Sequence, residues 1–81
     1  MLYVGLDILK SYITVCVLDS NGKVSQRWQA RDATELMTRL SQLPAFEVCY
    51  EAGTGYGRFY ELLTTVATRV AVAHPGLLRL I

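Results

Sequence analysis

The sequence predicts an α/β fold: a mixed sheet of order 3-2-1-4-5, with an antiparallel three-strand meander followed by helix, strand, helix and strand. Three observations predict it. The runs Leu2 to Ile8 and Tyr12 to Leu18 alternate apolar and polar residues with a period of two, as strands with two distinct faces do. Asn21-Gly22, between the second and third runs, is the strongest short-range hairpin signal. Beyond Arg31 the apolar spacing changes to that of a helix, returns to that of a strand, and repeats the change once more.

In the first run Leu2, Val4, Leu6 and Ile8 share one face, and Tyr3, Gly5 and Asp7 share the other. A short turn at Leu9 and Lys10 then pairs Asp7 with Tyr12, Gly5 with Thr14 and Tyr3 with Cys16. The third run, Val24 to Gln29, follows the Asn-Gly turn, where a type I′ geometry puts both central residues at positive φ. That register places Trp28 and Val24 on the aliphatic face, which then needs a cover.

Asp32 to Leu43 is the expected cover. Asp32 and Glu35 have the spacing of a capping box, Leu36, Met37, Leu40 and Leu43 recur at helical spacing, and Pro44 ends the helix. Phe46 to Glu51 returns to period two. Glycines 53, 55 and 57 punctuate the chain before Phe59, Leu62, Leu63 and Val66 mark a second amphipathic helix. Arg69 to Ala73 is the fifth strand, closed by His74-Pro75 and Gly76.

With right-handed crossovers the fourth strand runs parallel to the first and the fifth parallel to the fourth, which is the ribonuclease H topology. Asp7 then ends the first strand, Glu51 the fourth, and His74 follows the fifth, all at one end of the sheet where ligands of open α/β sheets bind. Two carboxylates on strands about 4.8 Å apart form part of a site for a hard divalent cation, with oxygen ligands that suit magnesium or manganese. Metal-assisted phosphodiester chemistry uses several such carboxylates around two ions.

Composition bounds the function. Eighty-one residues make one small domain or part of one, and 52% hydrophobic against 19% charged residues excludes a disordered chain. So apolar a short chain is expected to leave apolar surface for a partner, since small domains bury only about 60% of their unfolded surface. A net charge of +1 does not announce nucleic acid by itself. The sequence shows no signal peptide and no apolar run of the roughly 18 residues needed to span a bilayer, and Cys16 and Cys49 match no metal-ligand spacing. They are expected to be buried free thiols in a cytoplasmic protein.

VGLDILK at Val4 to Lys10, YEAGTGYGRFYELL at Tyr50 to Leu63 and VAVAHP at Val70 to Pro75 together resemble the N-terminal part of the DEDD-type insertion-sequence transposases of the insertion sequence one-ten group, whose catalytic domain is RuvC-like. The resemblance covers essentially the whole chain. It implies that residues 1–81 are the N-terminal portion of a RuvC-like, ribonuclease H-like catalytic domain, a partial domain of a bacterial DNA recombinase. By position, Asp7 matches the first acid of the tetrad and Glu51 the second, and both are the implied catalytic and metal-binding residues. The implied cofactor, in the complete domain, is Mg2+ or Mn2+. The implied partners are DNA and a guide or structured RNA.

The family's two further aspartates lie just past the fifth strand, whereas Glu61 is the last acid here. The resemblance therefore implies a chain inactive alone. Lys10, Tyr56 and Arg58 are the candidate nucleic-acid contacts: a cation in the turn beside Asp7, an aromatic for base stacking, and a cation at a glycine-rich helix start. Two other classes stay open: an actin-like ATPase domain, disfavoured because Ile8, Leu9 and Lys10 stand where a phosphate-admitting glycine would follow the acid, and a non-catalytic self-association module. A homo-oligomer is expected because unburied apolar surface tends to be covered by a second copy.

Overall fold

A computed structural model describes residues 1–51 and 56–73. The elements are β1 (Leu2–Ile8), β2 (Ile13–Leu18), β3 (Val24–Ala30), α1 (Ala33–Leu40), β4 (Phe46–Glu51), α2 (Tyr56–Thr64) and β5 (Arg69–Ala73). One five-stranded sheet runs in the order β3-β2-β1-β4-β5, antiparallel between β1, β2 and β3 and parallel from β1 to β4 and from β4 to β5. The order and strand directions are those the sequence predicts.

Register departs from expectation at both hairpins. Between β1 and β2, Asp7 pairs with Thr14, Gly5 with Cys16 and Tyr3 with Leu18, each two residues further along than the sequence suggests. The Leu9 N-H donates to the Tyr12 carbonyl at 3.0 Å, so Lys10 and Ser11 form the turn rather than Leu9 and Lys10. A slip of two keeps every side chain on its face, because the strand period is two.

The second hairpin closes differently from a type I′ turn. Gly22 alone has positive φ, at 81°, and no non-glycine residue does among those described. The Gly22 N-H donates to the Asp19 carbonyl, and Asp19 Oδ1 accepts from the backbone N-H groups of Asn21 and Lys23. That is a type I turn followed by a left-handed glycine, the three-residue hairpin loop. An irregularity follows, with Val17 opposite Gln26 but Leu18 opposite Val24. The extra residue, Ser25, moves Val24 onto the face opposite Trp28, where it is 53% exposed; the expectation that both share the aliphatic face is corrected.

Asp32 caps α1, its carboxylate accepting from the Glu35 N-H at 2.9 Å. The Glu35 carboxylate reaches one residue past the usual capping-box partner, to the Arg31 N-H, and pairs with the Arg31 guanidinium at 3.0 Å. The helix ends at Leu40, and Gln42 and Leu43 continue in tighter turns before Pro44. Leu36 and Leu40 are fully buried, each contributing about 1.5–3 kcal/mol by leaving water.

Leu36, Leu40 and, from α2, Leu63 join Val4, Leu6, Ile13, Val15, Val17, Phe46, Val48 and Tyr50 in one core. Both helices therefore cover the same face of the sheet. Among the described residues, nothing covers the other face, which carries Asp7.

Candidate functional site

The uncovered face follows from strand parity. Leu6 pairs with Tyr50 across the parallel β1 and β4, so Asp7 and Glu51 stand level at the carboxyl ends of adjacent strands. Both line one open concavity of about 720 Å³, together with Tyr3, Gly5, Thr14, Cys16, Cys49 and Arg27. Asp7 is exposed and Glu51 half-buried. Asp7 makes no hydrogen bond or ion pair within the described residues, and the β1–β2 turn is closed by backbone groups alone. Satisfying that turn is thus not what places an acid at residue 7.

The register sets three rows of side chains across this face. The middle row is Arg27, Cys16, Gly5, Cys49 and Ala71, one from each strand in spatial order. One flanking row holds Leu18, Tyr3, Glu47 and Arg69; the other holds Thr14, Asp7, Glu51 and Ala73. The middle row is low because three of its members are small and one has no side chain. Arg27 closes one end, its Nη2 donating to Cys16 Sγ at 3.9 Å, with no carboxylate partner among the described residues.

Cys16 and Cys49 are free and half-buried, which corrects the expectation of fully buried thiols: they lie on the uncovered face instead of in the core. Burial pushes the Cys49 thiol above the ordinary value.

Oxygen donors at Asp7 and Glu51 suit a hard cation, but two carboxylates supply only part of its shell. Among the described residues, no group of three or more His, Cys, Asp or Glu side chains is placed to hold a metal ion. Lys10 is exposed in the turn that leaves the Asp7 end of β1, and Arg58 is exposed near the start of α2. Among the described residues, neither makes a hydrogen bond or ion pair with Asp7. The Tyr56 side chain, glycines 53 and 55 and His74 lie outside the described residues. Sequence reasoning missed Arg27, whose place beside the site depends on the β2–β3 register; only its parity with Gln29 and its offset from Trp28 hinted at its face.

No described helix is long and apolar enough to cross a membrane. Comparison with protein-family models finds no match for this chain, and comparison with curated proteins finds no significant one. The chain is thus placed by its fold and its site: a mixed α/β domain presenting a carboxylate pair on the sheet face opposite its described helices.

Proposed function

We propose that this chain is the N-terminal portion of a ribonuclease H-like, RuvC-like catalytic domain of a DEDD-type transposase, acting on DNA. One observation carries the reading: Asp7 and Glu51 stand level on adjacent parallel strands, on the uncovered face, at the strand ends where open α/β sheets take ligands. The strand order and the meander-then-crossover element order support the ribonuclease H-like assignment. Asp7 and Glu51 would hold Mg2+ or Mn2+ through their carboxylate oxygens. Such ions, when bound, activate an attacking oxygen and stabilise the leaving one in phosphodiester chemistry. The carboxylates' own task is to fix the ions' position relative to the DNA strand.

Mn2+ titration followed by paramagnetic relaxation of water tests the pair. Weak binding that disappears in both Asp7→Asn and Glu51→Gln is expected, because two carboxylates leave most of an octahedral shell to water. Binding unchanged by these substitutions, or none in the wild-type chain, would sink the reading. The chain alone is expected not to nick DNA; Mg2+-dependent nicking abolished by Asp7→Ala would show that two acids suffice.

A second reading, a self-association module, rests on Tyr3, Tyr12 and Val24, which are 44%, 39% and 53% exposed and lie on or beside the uncovered face. Sedimentation at micromolar concentration separates it from a monomer.

A further inference from the structure

Among the described residues, no further strand pairs with the outer edge of β3 or of β5, the two ends of the sheet. An open edge is a template for another strand unless something blunts it. β3 is blunted: the irregularity at Ser25 interrupts its ladder, and Arg27 puts a charge in mid-strand. β5 has neither device. Its register with β4 runs without a shift, and past Arg69 it reads Val70, Ala71, Val72 and Ala73, with no charge, proline or glycine.

The side chains of β5 are as open as its backbone. Val70 and Val72 pack against the core on the helix-covered face, yet both stay half-buried, whereas Val48 and Tyr50, their partners on β4, are fully buried. A side chain at the rim has a neighbouring strand on one side only.

Sequence and parity decide which strand fits this edge. Cross-strand partners share a face, and residues of one strand share a face when their numbers differ by an even number. If two copies of one strand pair antiparallel, the numbers of every pair of partners have the same sum; that sum is then even, and the twofold axis passes through a residue. Through Ala71 the axis pairs the whole of β5; through Val70 or Val72 it leaves part of the strand without a partner.

In the Ala71 register, Val70 of each copy meets Val72 of the other, Ala71 meets Ala71, and Arg69 meets Ala73. The two arginines therefore stand at opposite ends of the pair. Val70-Ala71-Val72 reads the same in both directions, as a self-complementary contact requires and a foreign strand would not. The axis stands normal to the sheet, so both copies keep their helices on one side, and the valine pairs extend the row Val17, Val4, Val48 and Val70 across the helix-covered face.

We propose that β5 pairs edge to edge with β5 of a second copy, antiparallel about Ala71, joining two five-stranded sheets into one. This surface is distinct from Tyr3, Tyr12 and Val24, and the contact is independent of the carboxylate pair.

The test is sedimentation of the full chain with substitutions on the axis. The wild-type chain is expected to be dimeric at high micromolar concentration and to dissociate on dilution. Ala71 shares the uncovered face with Cys49, so the side chains of Ala71→Lys and Ala71→Glu reach solvent and both variants should keep the wild-type circular dichroism. Each sets like charges directly opposite one another and should weaken the dimer several-fold, whereas an equimolar mixture of the two should associate about tenfold more tightly than either alone. Amide hydrogen exchange of the wild-type chain needs no variant, and it decides the matter if a substitution unfolds the protein: residues 69–73 should exchange more slowly as concentration rises, with residues 24–30 unchanged. A chain monomeric throughout, charged variants that dimerise as the wild type does, or a mixture no tighter than its components would overturn the proposal. So would concentration-dependent protection at residues 24–30 instead, which assigns association to the other edge. A dimer that Val24→Ser dissociates and Ala71→Lys does not would assign it to the uncovered face, with the same result.

Discussion

Cys16 and Cys49 are the two direct cross-strand partners of Gly5, one on each side of it. Two strand spacings separate them, roughly 10 Å between Cα atoms, whereas a disulfide needs no more than about 7 Å. Oxidation of the monomer is therefore expected to leave both thiols intact. Intact-mass measurement checks it: a loss of two hydrogens that persists on dilution would contradict the strand order.

Burial raises the Cys49 thiol above its ordinary value, so the unfolded chain releases that proton first as pH rises. Below the ordinary thiol value the contribution to stability is fully present, and it is lost as pH climbs through the folded value. Urea unfolding at pH 8 and pH 10 should show the wild-type chain losing stability relative to Cys49→Ala. Parallel pH dependence in the two proteins would exclude the effect.

The two glycines Gly5 and Gly22 should respond oppositely to alanine. Gly22 has φ of 81°, which a Cβ disfavours, so Gly22→Ala should destabilise by about 1 kcal/mol. At Gly5 the backbone and the space both accept a methyl group, so Gly5→Ala should stabilise by about 0.5–1 kcal/mol through reduced unfolded-state entropy. Chemical denaturation midpoints measure both, and equal losses would refute the contrast.

Docking of α1 has a built-in reporter. The Arg39 guanidinium carbon lies 3.8 Å from the centre of the ring of Trp28, the single tryptophan. Leu36→Ala is expected to cost about 2–5 kcal/mol by opening a cavity in the core, and Asp32→Ala about 1 kcal/mol by removing the cap. Arg39→Ala should change Trp28 emission while costing about 0.5–1 kcal/mol, as an exposed cation–π contact does. If Leu36→Ala and Asp32→Ala unfolded at the same denaturant concentration, the assignment of Leu36 to the core would fail.

Element order, strand order and the faces of the residues in β1 and β2 were all legible in the residues alone. The physical reason is periodicity: a strand alternates its side chains every residue, so Asp7 and Cys16 were assigned to a common face without knowledge of any contact. The level placement of Asp7 and Glu51 was legible for the same reason, once crossovers made their strands parallel neighbours. Turn geometry was not legible at that resolution. Whether the first hairpin turned at Leu9-Lys10 or at Lys10-Ser11 left the faces unchanged and shifted the partners, so the pairing of Gly5 with Cys16 waited for the tertiary hydrogen bonds. The second hairpin mattered more. Asn-Gly serves both a two-residue and a three-residue loop, and the irregularity beside Val24 changes parity, sending Val24 to the uncovered face. Only the assembled sheet, aligning five strands at once, showed that Arg27, Cys16, Gly5, Cys49 and Ala71 form one continuous row, because a row across strands is a property of register between segments remote in sequence and of no segment alone.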